Sequence, residues 1–210
     1  MAMLYHRRGR AWRAVLCAAS LALASCAAKP PPVGQNAGEC LAQLDRLGLR
    51  YQLAALSPRT PAACRVEAPV EVSAATLPFN QPAVASCALI LQFDRFEREA
   101  LRPLAQRYLR EDIKTILHFG AYSCRTTHAG RESEHAHGLA IDLAGFELAD
   151  GRRVLVKDDW SKRDREGRFL HAVAQAACRY FNEVLTPESD RDHANHIHLD
   201  LGPYTLCVRR

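Results

Sequence analysis

The run SEHAHGLAID, residues 133–142, decides more about this chain than any other stretch. His135 and His137 come before a predicted strand at residues 139–146, and Asp142 lies near the middle of that strand. Imidazole and carboxylate groups are the nitrogen and oxygen ligands of catalytic zinc sites. The run therefore predicts a metal or catalytic site, with His135 and His137 as alternative ligands.

A second run, HANHIHLD at residues 193–200, supplies the other half of the predicted site. Successive side chains of a strand point to opposite faces, so His196, His198 and Asp200 share one face and apolar residues occupy the other. A catalytic zinc ion takes three protein ligands and keeps one position open for water. One histidine and one aspartate from the first run, with one histidine from the second, would complete that set.

Hydrophobic spacing around these runs predicts an α+β domain with a small, mostly antiparallel sheet flanked by helices. Ser86 is a good N-cap for a long helix, and Pro187 is expected to end a later one. Helices are predicted over residues 39–47, from Ser86 to Tyr108, and through Phe169 and Phe181. Strands are predicted over residues 65–73, 113–122, 139–146, 152–156 and 196–201. Residues 77–82 are predicted to be irregular.

The N-terminal region is expected to direct export. Residues 1–25 are predicted to be a signal peptide, because four arginines precede an apolar segment that is too short to span a bilayer. Residues 23–26, LASC, resemble the lipobox of bacterial lipoproteins, which implies acylation of Cys26. Ordinary signal cleavage nearby is the alternative. Residues 26–36 then form the lipidated cysteine and a proline-rich tether, and residues 37–210 form the folded domain.

Location and charge limit the expected partners. A lipoprotein of this kind faces the periplasm and is held at a membrane by its lipid. Ala27 favours the outer membrane, because it is not the aspartate often linked to inner-membrane retention. The leader carries four arginines and no acidic residue, so the remaining chain has a net charge of +1 instead of +5. We therefore expect no nucleic acid partner.

The cysteines predict disulfides. Of the eight in the chain, Cys17 lies in the predicted signal peptide and Cys26 is the candidate for lipidation. An even number of remaining cysteines in an exported chain predicts up to three disulfides, and the chain contains no CxxC pair typical of a cysteine zinc site. The disulfide candidates are Cys40, Cys64, Cys87, Cys124, Cys178 and Cys207.

The pattern SxHxxGxAxD followed by HxH resembles the zinc peptidases of bacterial cell walls. These include the D-Ala-D-Ala carboxypeptidases and dipeptidases and the penicillin-insensitive murein endopeptidases. The resemblance implies a zinc peptidase core of the D-Ala-D-Ala carboxypeptidase and hedgehog type, and peptidoglycan as the partner. It also implies that Zn2+ is held by His135, Asp142 and His198. The fixed positions that match are Ser133, His135, Gly138, Ala140 and Asp142.

The same resemblance implies roles around the metal. His196 would lie beside the zinc-bound water as a catalytic residue. The region upstream of His198, DRDHAN at residues 190–195, lacks the E-x-x-H spacing of the carboxypeptidases, so the base is left open among His196, His193 and Asp192. Arg125 is expected to contact the substrate or the developing oxyanion, with a surface salt bridge as the alternative. Ser133 is expected to bind substrate or to shape its loop.

A closer resemblance covers nearly the whole region after the leader. The chain resembles the bacterial extensin-like C-terminal domain family, whose activity is inferred from its metallopeptidase-like motifs. We therefore expect a zinc-dependent peptidase that acts on peptidoglycan cross-links or stems in the cell envelope. The alternative is a non-catalytic, zinc-containing module that binds the cell wall. The matching segments are YSCR at 122–125, SEHA at 133–136, AID at 140–142, residues 146–151, ACR at 177–179 and Cys207.

Overall fold

The structure is a computed structural model that describes residues 36–127 and 130–207. The predicted signal peptide, Cys26 and the tether as far as residue 35 lie outside the described residues, so the expectations for them stay predictions. Among the described helices, none is both long enough and apolar enough to cross a bilayer.

The chain forms both helices and strands, as expected of an α+β fold. The first half contains α1 (Ala37–Leu47), β1 (Gln52–Leu53), a 3-10 turn (Ala62–Cys64), β2 (Pro69–Ala74), β3 (Pro78–Ser86), α2 (Cys87–Phe96), a π-helical turn (Glu97–Leu101) and α3 (Arg102–Leu109). The second half contains β4 (Ile113–His118), a 3-10 turn (Glu134–His137), β5 (Ala140–Leu148), β6 (Arg153–Leu155), α4 (Val156–Asp159), α5 (Arg165–Ala177), β7 (Glu183–Leu185) and β8 (Ile197–Asp200).

The eight strands form one mixed sheet in the order β1-β2-β3-β4-β5-β8-β7, and β6 pairs with β5 outside this path. The paired strands are antiparallel except for β3 and β4, which are parallel. The predicted α+β class and mostly antiparallel sheet are therefore confirmed. The register of β5 and β8 places Asp142 directly opposite His198, so the two histidine-rich runs meet in the sheet.

A bulge in β5 changes which side chains face the core. Leu117 pairs with Gly145 but His118 pairs with Leu143, so Ala144 is an extra residue in β5. Before the bulge the odd-numbered Ile141 and Leu143 are buried in the core, and after it the even-numbered Phe146 and Leu148 are. Asp142 lies between Ile141 and Leu143 in the strand, so its side chain points away from the core.

Helix α5 covers the core face of the sheet. The ring of Phe169 on α5 lies 5.3 Å from that of Phe146 on β5, in edge-to-face geometry. The ring of Phe96 on α2 lies 5.6 Å from that of Phe181, which follows α5. This apolar layer leaves the opposite face of β5 and β8 free for polar side chains.

Two predicted elements are wrong. Residues 77–82 were expected to be irregular, but residues 78–82 form the start of β3. Its first residue is Pro78, and the first position of a strand tolerates proline. The helix expected to continue to Pro187 ends at Ala177, and β7 follows because Glu183–Leu185 pair with β8. In both places pairing with a distant strand overrides the local pattern.

The described cysteines form three disulfides, which confirms that prediction. Cys40–Cys87 joins α1 to the start of α2, and Cys178–Cys207 joins the end of α5 to the C-terminal segment. Cys64–Cys124 joins the first 3-10 turn to the segment before Arg125. Disulfides are typical of proteins in oxidising compartments.

Candidate metal centre

The 3-10 turn Glu134–His137 directs His135 toward the sheet. Ser133 caps this turn, and its Oγ accepts a hydrogen bond from the His135 amide at 3.4 Å. Gly138 ends the turn at φ 62°, where an added Cβ would lie 2.9 Å from a backbone nitrogen of β3. Nδ1 of His135 donates to the carbonyl oxygen of Ala121 at 2.6 Å, so its Nε2 keeps a free lone pair.

His198 is oriented in the same manner by a carboxylate. Its Nε2 lies 3.1 Å from Oδ2 of Asp200, whose other oxygen accepts from the Gly202 amide at 2.8 Å. A carboxylate acceptor fixes the proton on Nε2, so that in the neutral ring the lone pair is on Nδ1. That Nδ1 lies 2.9 Å from Oδ1 of Asp142.

Three potential ligand atoms thus converge on one point. Nε2 of His135 is 3.1 Å from Oδ1 of Asp142 and 3.2 Å from Nδ1 of His198. Ligand atoms bound about 2.0–2.1 Å from a tetrahedral zinc ion lie about 3.3 Å apart, close to these spacings. All three side chains are buried, so they form a compact donor set that could hold a metal ion. We call this set the His/Asp cluster.

A second grouping in the described residues could also hold a cation. It consists of Glu183, Asp200 and His198, and it therefore shares His198 with the His/Asp cluster. Because Asp200 already accepts from Nε2 of His198, this grouping is better described as the support of that ring.

The electrostatics of the cluster favour a cation. Burial alone would raise the pKa of Asp142, but the rings of His135, His196 and His198 around the carboxylate outweigh burial and hold that pKa well below its usual range. Burial lowers the pKa of His198, but Asp142 and Asp200 together raise it to about 9. In the metal-free protein a proton on Nδ1 compensates the carboxylate at neutral pH, and a metal ion has to displace that proton.

His196 and His193 lie in succession beside the cluster. Nε2 of His196 is 3.4 Å from Oδ1 of Asp142, and its Nδ1 is 2.8 Å from Oδ1 of Asn195. The ring centroid of His193 is 5.1 Å from that of His196. Nδ1 of His193 lies 2.7 Å from Oδ1 of Asp190, an acid that was not among the sequence candidates. The D-x-x-H spacing of this pair is a signal that could have found it.

The turn separates the two histidines that the sequence left as alternatives. Whereas His135 lies against Asp142, Nε2 of His137 lies 3.2 Å from Glu132 and its Nδ1 lies 3.4 Å from the carbonyl oxygen of Arg65. His137 therefore belongs to an exposed ion pair. Its place in the same turn makes it a matched control for His135.

Arg125 lies at the solvent-exposed side of the cluster. Its Nη2 is 3.8 Å from Oδ2 of Asp142, the oxygen that does not face the histidines, and its side chain is 56% exposed. The backbone of this segment is held by the Cys64–Cys124 disulfide and by a hydrogen bond from the Ser133 amide to the Arg125 carbonyl. The backbone at Arg125 is therefore fixed, whereas its guanidinium group faces solvent.

The fold and the cluster define an α+β protein with a mixed sheet and a buried set of two histidines and one aspartate. The chain matches the family model described as extensin-like protein C-terminus over residues 38–208, so it belongs to that family. The matched segment includes every residue of the cluster. Neither the curated proteins nor the solved structures contain a match to this chain.

Proposed function

We propose that this protein is a zinc-dependent peptidase that cleaves peptide cross-links or stems of peptidoglycan. The observation that carries the proposal is the convergence of three lone-pair atoms in the His/Asp cluster. The second nitrogen of each ring is already bonded, to the Ala121 carbonyl and to Asp200, so both rings present an acceptor to the same point. Such support of the ligand rings is typical of zinc sites.

The donor set suits zinc chemistry. His135, Asp142 and His198 would hold the ion, which when bound supplies Lewis acidity and lowers the pKa of a water molecule to about 7. Arg125 would bind the negative charge that develops on the carbonyl oxygen of the amide under attack. Its exposed guanidinium beside Asp142 supports this role, because a substrate can reach it from solvent.

Among the three candidates for the base, the contacts favour His196. Its Nε2 lies against Asp142, whereas the ring of His193 packs against the rings of His196 and His198 and its Nδ1 is bonded to Asp190. His193 and its partner Asp190 would therefore steady the ring of His196. Ser133 is buried and caps the turn, which supports its loop-shaping role over substrate binding.

The location of this activity is part of the proposal. The predicted signal peptide would direct export, and the lipid at Cys26 would hold the domain at the periplasmic face of the outer membrane, on a tether within reach of peptidoglycan. Three disulfides agree with an exported protein.

A second candidate is a zinc-containing module that binds the cell wall without cleaving it. Asp190 and Asp200, two acids close to the histidines, are each bonded to a histidine ring. Neither is therefore free to act as the carboxylate base of the carboxypeptidase type, and this observation favours the second candidate.

Mass analysis of muropeptides released from purified peptidoglycan distinguishes the peptidase from the binding module. The zinc-loaded wild type and the variant H137A should release new muropeptides, whereas D142A should release none. Release by D142A at the wild-type rate would refute the proposed mechanism. Wild-type protein that retains zinc and binds peptidoglycan but releases nothing would establish the binding module.

A further inference from the structure

An exposed aromatic ring stands beside the His/Asp cluster. Phe119, just after β4, is 56% exposed. Its ring centroid lies 5.9 Å from that of His196, in edge-to-face geometry. Isolated apolar side chains on a surface need no explanation by themselves. This one differs because it flanks a candidate catalytic histidine.

The backbone of Phe119 is fixed by the strand that carries Asp142. The Phe119 amide donates to the carbonyl oxygen of Asp142 at 3.0 Å, and the Asp142 amide donates to the carbonyl oxygen of Gly120 at 3.2 Å. The preceding side chain, His118, is buried on the other side of the strand, where its Nε2 contacts the carbonyl of Gln81. The ring is therefore held on a rigid strand end and cannot join the core.

The surroundings of Asp142 divide into an apolar and a charged side. Oδ1 of Asp142 faces the histidines, with Phe119 beyond His196, whereas Oδ2 faces the guanidinium of Arg125. If a substrate amide lies at the cluster, one of the groups that flank the amide would lie near the ring of Phe119. The exposed part of a phenylalanine ring offers no hydrogen bond, and burying it against an apolar group removes apolar surface from water, so we expect an apolar partner.

We infer that Phe119 is a specificity-determining residue, which contacts an apolar side chain next to the scissile amide of the substrate. This inference rests on the proposed function and deepens it. The substrate class is a peptide with an apolar residue, such as alanine, at that position. One methyl group in an apolar subsite typically changes binding about 10-fold or more.

The test measures binding of two synthetic stem peptides that differ only in ending with D-Ala-D-Ala or with Gly-Gly. Calorimetric titration is carried out on zinc-loaded wild type, F119A, F119L and L53A. Leu53 is an exposed apolar residue of β1, at the far edge of the sheet, so L53A is the matched control. Zinc content and far-UV circular dichroism verify that each variant keeps its site and fold.

Wild type and L53A should bind the alanine peptide about 10-fold more tightly than the glycine peptide. F119A should reduce this ratio to below about 3, and F119L, which keeps an apolar group, should retain part of it. An unchanged ratio in F119A, or a wild type that does not discriminate, overturns the inference. If the ratio behaves as expected but neither the wild type nor any variant cleaves either peptide, the contact between Phe119 and the apolar residue stands and the peptidase proposal fails.

Discussion

Asp142 and His198 lie directly opposite each other on β5 and β8, with 2.9 Å between Oδ1 of the carboxylate and Nδ1 of the ring. Their backbones are fixed by the strand ladder, and the ring is fixed from behind by Asp200. The geometry of two candidate ligands is therefore set by the sheet itself and not by a loop. Sites built on strands hold their geometry more closely than sites built on loops.

Replacing Asp200 should weaken metal binding without unfolding the protein. In D200N the ring of His198 loses its charged acceptor, so we expect zinc affinity to fall by about 10-fold or more. Competition with a chromophoric chelator measures this change. The control D45N removes an exposed carboxylate of α1, which contacts Tyr51, and should leave the affinity unchanged. Equal zinc affinity in D200N and wild type would show that Asp200 does not support the ligand.

The stability of the protein should depend on pH through Glu97. This carboxyl group is fully buried in the π-helical turn; Oε2 accepts from the Leu77 amide at 2.9 Å and Oε1 has no partner among the described residues. Burial raises the pKa of Glu97 to about 8 from a usual 4.5. The stabilisation that its proton brings is thus complete below pH 4.5 and is lost as the pH rises through 8.

The variant E97Q should remove this dependence. Between pH 5 and pH 8 the free energy of unfolding of the wild type should fall relative to that of E97Q by at least about 1 kcal/mol. Urea denaturation with the disulfides intact measures both proteins at each pH. Parallel curves for the two proteins would show that Glu97 is not the responsible group.

Gly145, the residue after the bulge in β5, has no room for a side chain. A Cβ at this position would lie 2.3 Å from the carbonyl oxygen of Val154 on β6, so G145A must displace backbone. We expect a loss of about 1–3 kcal/mol in the free energy of unfolding. The control G38A, in helix α1, meets only an ordinary contact and should be neutral or slightly stabilising. G145A as stable as wild type would contradict the requirement for glycine.

Local patterns were enough to predict where the cluster lies but not all of its members. The spacing in the run 133–142 and the alternation in the run 193–200 left His135 and His137 as alternatives, the resemblance implied His135, Asp142 and His198, and strand pairing brings Asp142 and His198 together. The N-cap at Ser86 was equally readable, because its hydroxyl accepts from the amide of Leu89 in its own helix. Features of this kind depend on neighbours within a few residues.

Features that depend on distant partners could not be predicted. The extra residue in β5 exists because β4 and β5 change register, and the neighbouring Gly145 does not by itself identify Ala144 as the extra residue. The exposure of Phe119 is a further example, because it follows from where β4 ends. Strand β7 is formed by pairing with β8, although Phe181 continues the apolar spacing of the preceding helix. Tertiary pairing decides such segments.

Zinc content is the most direct test of the His/Asp cluster. Elemental analysis should find about one zinc ion per chain in purified wild type and in H137A, and much less than one in H135A. His135 and His137 lie in one turn, so H137A shows the effect of removing an imidazole that is not a candidate ligand. A stoichiometric zinc content in H135A, or a wild type that takes up no zinc when it is supplied, would contradict the central claim.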